Sequence, residues 1–210
     1  MTRIFIVDDH VLIREGLKKI LCTESDLTVA GEAQCGNDAL DKLDKCQCDI
    51  LLLDIALPDK SGLEVLKEMK TRHPKVHVII LSLYPEERYA LRAMKDGADG
   101  YISKNSAADE LFFAIRTVMA GNKYVSPALK QELSDHIQDD QKQPAHKSLS
   151  DREFQILLLI GSGKTVTQIA EELNLSVSTV NTHRLHILEK MHLRTNAELV
   201  RYLFENHLSE

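Results

Sequence analysis

The chain has 210 residues, enough for one sizeable hydrophobic core or two modest ones. Its net charge of −6 excludes a protein drawn to nucleic acid by bulk charge, although a local site is still free to bind it. No apolar run approaches the ~20 residues of a membrane span, and the opening MTRIFIVDDH reaches an acidic pair at once, with no signal-peptide pattern.

Residues 1–120 alternate short β-branched runs with amphipathic stretches. The runs are RIFIV (3–7), LTVAGE (27–32), DILLLD (49–54), VHVIILS (76–82) and DGYIS (99–103). Between and after them, stretches near 12–22, 36–45, 62–72, 86–96 and 106–120 carry apolar residues at helical spacing, such as Leu63, Leu66 and Met69. This alternation predicts an α/β domain, a doubly wound five-stranded parallel sheet covered on both faces. Cys22, Cys35, Cys46 and Cys48 lie in or beside these segments without a CxxC pair, and read as reduced cysteines of a cytoplasmic protein.

The polar stretch SDHIQDDQKQPAHKS (134–148) reads as a linker. The boundaries expected are a first domain over 1–121, a linker over 122–147 and a second domain over 148–210. That second domain is all-helical. Ser150 with Glu153, Thr165 with Gln168 and Thr195 with Glu198 form three capping boxes, and Ser176 caps a helix near 177–190.

The GSGKT in this domain is not a phosphate-binding loop. Such a loop needs a glycine at position 158, where Leu158 stands, and a strand before it, where a capped helix is expected. Gly161 and Gly163 instead end one helix and Thr165 starts the next. VDDHVLIREG, the first strand–helix junction, also lacks the glycines of a dinucleotide site.

That junction offers a different chemistry. Asp8 and Asp9 lie just past the first strand and Asp54 ends the third. If those strands are neighbours, three carboxylates meet in the crevice beyond the strand ends. Like charges so close need a cation, and a set of hard oxygens with no nearby His or Cys cluster suits Mg²⁺. Ser82 at the end of the fourth strand and Lys104 after the fifth supply a hydroxyl and an ammonium that complement phosphoryl oxygens. Solvated loop residues remain the plain alternative.

On Asp8-Asp9, the DIALP stretch from Asp54 to Pro58, Gly62, Ser82 and the GADGYISK stretch ending at Lys104, residues 1–120 resemble the flavodoxin-like receiver domain of bacterial two-component response regulators. The resemblance implies that Asp54 is the phosphoacceptor for a sensor histidine kinase. It implies Asp8, Asp9, Asp54 and the backbone carbonyl of Ala56 around Mg²⁺, with Asp9 the more direct ligand of the first pair. Lys104 would pair with the phosphoryl group, Ser82 would swing towards it, and Tyr101 would follow inward as an aromatic switch, a static packing ring being the alternative. Leu83 and Asn105 depart from the usual pattern, and Leu83 bears on the lifetime of the phosphoryl group.

In the second domain, VTQIAEEL (166–173), the turn NLS and a helix over 177–191 form a helix-turn-helix pattern. Ile169, Ala170, Leu173, Val180, Ile187 and Leu188 supply its interior. Its second helix offers Ser178, Asn181, Thr182 and Leu185 to bases, with His186 beside them, and Thr179, Arg184 and Lys190 to phosphates. An ordinary solvated helix face is the alternative. The segment 149–203 resembles the LuxR-type output domain, and both halves together resemble the NarL/FixJ class of response regulators. That resemblance implies promoter DNA as target, a homodimer on activation with the last helix (196–207) taking part, RNA polymerase as a partner and no membrane. For the receiver, either the first and fifth helices or the fourth would dimerise, and Val11, Leu12 and Ile13 favour the first pair. Asn181 stands where class members often carry Lys, and Leu185 where some also do, which shifts anchoring to Arg184 and Lys190, while Glu153 reads as structural. The function expected is a phosphorylation-controlled transcription regulator rather than a metabolic enzyme. A Mg²⁺-dependent phosphohydrolase using Asp54, or a receiver-type interaction module without DNA binding, are the rivals.

Overall fold

The computed structural model describes residues 1–84, 86–106, 108–125, 144–206 and 208, with the backbone alone for 86–88. The chain divides into two compact units, Met1–Gln138 and Asp139–Glu210.

Among its described residues the first unit holds five strands and five helices in strict alternation: β1 (Thr2–Val7), α1 (Val11–Leu21), β2 (Leu27–Ala33), α2 (Gly36–Leu43), β3 (Ile50–Asp54), α3 (Gly62–Arg72), β4 (His77–Ser82), α4 (Glu86–Lys95), β5 (Gly100–Ser103) and α5 (Ala108–Met119). The strands pair in parallel in the order β2-β1-β3-β4-β5. Ile4, Ile6, Ile50, Leu52, Ile79, Leu81 and Ile102 face one side and pack with Leu21 of α1 and Leu111, Ile115 and Val118 of α5. Their alternate neighbours Phe5, Val7, Leu51, Leu53, Val78 and Ile80 are equally buried on the other side. Burial on both faces is why these strands read as continuous apolar runs rather than alternating ones. The residues Leu63, Leu66 and Met69 of α3 are buried as their spacing predicts.

Beyond α5 the chain returns to the sheet edge. Tyr124 forms a bridge to Gly100, and its carbonyl accepts the Tyr101 N–H at 3.0 Å. Residues 126–143, the middle of the expected linker, lie outside the described residues. On its far side a 3₁₀ turn, Ala145–Ser148, joins the second unit, where the His146 Nδ1 is 3.0 Å from the Tyr202 hydroxyl.

The second unit contains α6 (Asp151–Gly161), α7 (Val166–Glu172), α8 (Val177–Lys190) and α9 (Asn196–Glu205). All three capping boxes form, and Ser176 Oγ accepts the Thr179 N–H at 3.0 Å. GSGKT is a helix-to-helix turn. Gly163 takes φ +81°, and the N–H groups of Gly163 and Lys164 satisfy the carbonyls of Ile160 and Leu159. Asn174 at φ 52° makes the comparable stop after α7, and Leu175 N–H bonds back to Ala170. The six interior residues expected of the helix-turn-helix are all buried. The four cysteines are free. No described helix is long and apolar enough to cross a membrane.

Candidate phosphoryl and DNA-reading sites

The strand order makes β1 and β3 neighbours, so Asp8 and Asp54 emerge side by side where the connections diverge. Both are buried, Asp54 to 2% exposure. Lys104 is carried into the same crevice because its N–H bonds to the Ser82 carbonyl at 2.8 Å, prolonging the β4–β5 pairing. Its ammonium lies 2.7 Å from Asp54 Oδ2 and 2.6 Å from Asp8 Oδ2, with the side chain 4% exposed. Asp54 Oδ1 accepts the Ala56 N–H at 3.2 Å. The entry of α3 presses close behind: a Cβ on Gly62 would stand 2.0 Å from the Asp54 carbonyl oxygen, and the Gly62 N–H bonds to the Ile55 carbonyl at 2.8 Å.

Burial pushes the Asp54 carboxyl up to about 6; the charge of Asp8 adds to this, while Lys104 and the Ala56 N–H oppose it. For Lys104 burial pulls downward, but the carboxylates of Asp54 and Asp8 outweigh it and hold the ammonium above its usual value. At neutral pH Asp54 is therefore predominantly ionised beside the Lys104 ammonium.

Asp9 lies at the more open side. The expectation of an oxygen-only cluster needs correction, because ligand atoms of Asp8, Asp9, His10 and Asp54 all lie within 4.8 Å of one another. His10 Nδ1 is 2.7 Å from Asp9 Oδ1, and the His10 N–H donates to Asp8 Oδ1 at 2.9 Å. The backbone turn needed to start α1 brings the ring back onto the acidic pair. Asp8 Oδ2 and Asp9 Oδ1 are buried oxygens that face only the Lys104 and His10 nitrogens, at 2.6 and 2.7 Å. Three carboxylates converging on one point are what a hard divalent cation satisfies, so the donor set fits Mg²⁺.

Ser82 is fully buried and its Oγ accepts the Tyr84 N–H at 3.0 Å. Tyr101 is turned inward, 1% exposed, with its hydroxyl donating to the Tyr84 carbonyl at 3.1 Å. The backbone of Tyr84 thus touches both side chains. Leu83 stands 56% exposed at the mouth of β4, and the Asn105 N–H caps onto Ser103 Oγ.

On α8, Val180, Ile187 and Leu188 face inward, while Ser178, Thr182 and Leu185 are exposed, Leu185 to 60%. Asn181, Thr179 and Arg184 are half-buried. Thr179 Oγ1 is 2.8 Å from Ser176 Oγ, and Arg184 Nε donates to Asn196 Oδ1 at 2.6 Å. Lys190 is engaged inward: its ammonium is 2.7 Å from Glu153, whose side chain is only 5% exposed. Burial works against the Glu153 carboxylate, but Lys190 and the Ser150 N–H together hold it below the usual range. The sequence assigns Lys190 to phosphate and Glu153 to structure; the long-range pair between them carries no local signal. Arg14, also missed, donates from Nη1 to the Asp8 carbonyl at 2.6 Å.

Residues 4–116 match the family described as the response regulator receiver domain, and residues 147–203 match the bacterial regulatory proteins of the luxR family. The chain is 36% identical over 200 residues to the response regulator GacA of Pseudomonas aeruginosa, covering 95% of this chain and 94% of that protein. It is 35% identical over 200 residues to the response regulator UvrY of Escherichia coli, covering 95% and 92%. A LuxR-family two-component response regulator from Aurantimonas shares 29% identity and superposes with a TM-score of 0.61 over 66% of this chain and all of that one. RcsB of Salmonella enterica serovar Typhimurium, solved bound to promoter rprA with phosphomimetic BeF₃⁻, shares the fold at a TM-score of 0.63 and 24% identity over 97% of this chain and 98% of that one. The chain therefore belongs to the two-component response regulators of NarL/FixJ type, a receiver followed by a LuxR-type helix-turn-helix unit, and acts as a signalling switch rather than a metabolic enzyme.

Proposed function

We propose that this response regulator is a cytoplasmic, DNA-binding transcription regulator that is activated when a sensor histidine kinase phosphorylates Asp54. The observation that carries this reading is the buried crevice in which one ammonium, Lys104, spans Asp54 and Asp8 beside a third carboxylate, Asp9. The Asp54 carboxylate attacks the phosphorus of a phosphohistidine. An O–P bond forms, the P–N bond breaks, and the histidine nitrogen leaves with its electron pair. Asp8, Asp9, Asp54 and the Ala56 carbonyl would hold Mg²⁺, which when bound would supply charge neutralisation on the phosphoryl oxygens. Lys104 moves from the free carboxylates to the phosphoryl group. Ser82 exchanges the Tyr84 N–H for a phosphoryl oxygen, and Tyr101 remains inward and holds the new position of that loop.

The receiver occupies 1–121, the linker 122–147 and the DNA-binding unit 148–210. Activation favours a homodimer, and exposed Val11 and Leu12 on α1 and Phe113 on α5 support those helices as its receiver contact. The helix α8 enters the major groove of promoter DNA, with Ser178, Asn181, Thr182 and Leu185 towards bases and Thr179 and Arg184 towards phosphates, while Lys190 reaches phosphate only by releasing Glu153. RNA polymerase is the partner served at the promoter. RcsB bound to promoter DNA is the relative that supports this half of the reading.

The test is selection of bound genomic fragments with and without a small phosphodonor and Mg²⁺, for wild type and Asp54→Ala. The expected result is a donor-dependent gain in binding that the alanine variant lacks. Equal binding in all four conditions would overturn phosphorylation control, and no binding in any would overturn DNA as the target.

A further inference from the structure

Arg14 has no part in the roles above, yet it is among the few charged side chains buried in the receiver, at 9% exposure. A guanidinium withdrawn from water is costly unless its surroundings are built for it. Here they are. Nη1 donates to the Asp8 carbonyl at 2.6 Å in a buried bond, and Nε lies 3.4 Å from Glu32 Oε2 on β2, an ion pair without a directed hydrogen bond. Glu32 is in turn held by Lys18 at 3.1 Å. The fork of Arg14 therefore ties the residue that opens the acidic turn to the neighbouring strand.

The consequence falls on Asp8. Its N–H bonds to the Ala33 carbonyl at 3.2 Å, its carbonyl accepts from Arg14, and its Oδ1 accepts from the His10 N–H at 2.9 Å. With these three points fixed, Oδ2 is the oxygen left turned to the crevice, 2.6 Å from Lys104. We infer that Arg14 is a positioning residue for the cation site: its guanidinium, aligned by Glu32, fixes the Asp8 carbonyl and with it the Asp8–Asp9 turn in the arrangement that receives a divalent ion. This inference rests on the reading of the acidic crevice as a Mg²⁺ site.

Charge alone argues the other way, since a nearby cation repels Mg²⁺ and its loss would tighten binding. Glu32 offsets that charge at 3.4 Å, and the short bond is aimed at a backbone carbonyl rather than at a ligand oxygen. Geometry is thus the larger effect. Arg14→Lys separates the two, because lysine keeps the charge and lacks the fork that reaches two acceptors.

The experiment is a Mg²⁺ titration of the full chain, followed by the amide resonances of Asp9, His10 and Ala56, with thermal unfolding in EDTA measured in parallel. Wild type, Arg14→Lys, Glu32→Gln and the double variant are compared. Loss of a group that orients metal ligands costs about 10–100-fold in affinity, so the expectation for Arg14→Lys is about tenfold weaker binding. Glu32→Gln gives a smaller loss, and the double variant loses less than the two combined. A role confined to stability would lower the melting temperature in EDTA and leave the Mg²⁺ midpoint in place. An unchanged or tightened midpoint in folded Arg14→Lys overturns the inference. Should that variant not fold, Glu32→Gln decides, and its unchanged midpoint overturns it equally. A wild type without any Mg²⁺ response removes the cation site itself and this inference with it, whereas a responsive wild type whose variants keep its midpoint removes this inference alone.

Discussion

Asp54 is buried among charges of both signs, and its carboxyl is pushed up to about 6. Only the ionised form has the electron pair that attacks phosphorus. Phosphorylation by a small donor should therefore rise with pH through about 6 and level off above it. A pH–rate profile at fixed donor concentration checks this, and added Mg²⁺, which favours the carboxylate, should move the rise to lower pH. Stability has its own sign. The unfolded value is near 3.8, so between 3.8 and about 6 the folded state binds more protons than the unfolded one. The fold without metal accordingly gains from Asp54 as pH falls through that window and loses as pH rises. The two-unit displacement corresponds to about 3 kcal/mol. In EDTA, wild type should lose roughly that amount relative to Asp54→Asn between pH 4 and 7, and parallel stability curves for the two proteins would contradict it.

At the level of elements, two junctions set the sites. Gly62 begins α3 against the backbone of β3, where an added Cβ would meet the Asp54 carbonyl oxygen at 2.0 Å. Backbone cannot swing aside as a side chain does, so Gly62→Ala should destabilise the receiver by about 3 kcal/mol, the upper part of the usual overpacking range. It should also weaken Mg²⁺ binding, because relief comes by displacing Asp54; urea unfolding and a Mg²⁺ titration measure the two effects. The second junction is Lys190 with Glu153, joining the end of α8 to the start of α6. Lys190→Met leaves a buried carboxylate short of a donor and should cost the helical unit about 1–3 kcal/mol in urea unfolding. If Lys190 also releases Glu153 to meet phosphate, the same variant lowers the salt slope of DNA binding by about one. These junctions show what the sequence can and cannot carry. The strands were legible because a doubly covered sheet demands long β-branched runs, and the starts of α6, α7 and α9 because a Ser or Thr three residues before Glu or Gln is a complete local device. GSGKT was legible as a turn by counting what a phosphate loop lacks. The acidic crevice was legible conditionally, since it needed β1 beside β3. The return of His10 onto Asp9 depends on a backbone turn, and Lys190–Glu153 spans 37 positions, so neither leaves a periodic trace. Arg14 stood five residues past Asp9, but nothing in its spacing told a buried guanidinium from a solvated one.

For the whole molecule, charge decides how DNA is held. From residue 147 onward the basic residues are Lys147, Arg152, Lys164, Arg184, Lys190, Arg194 and Arg201. Most are already engaged. Arg152 is buried against Gln155 and the Leu173 carbonyl, Lys164 pairs with Glu172, Lys190 with Glu153 and Arg201 with Glu205, and Arg184 bonds to Asn196. One copy thus has few cations to set against phosphates, and each phosphate neutralised contributes about −0.9 to the slope of log affinity on log salt. Tight binding by such a unit needs a second copy on the same DNA. The phosphorylated protein should therefore show about twice the salt slope of Asp54→Ala on one promoter fragment, measured by fluorescence anisotropy across a salt series. A mere gain in affinity at constant slope would mean that phosphorylation improves the contacts of a single copy, and dimerisation as the route of activation would have to be given up. The doubling is expected because the recognition helix carries Asn181 and Leu185 where a lysine would have supplied the attraction that a lone copy lacks.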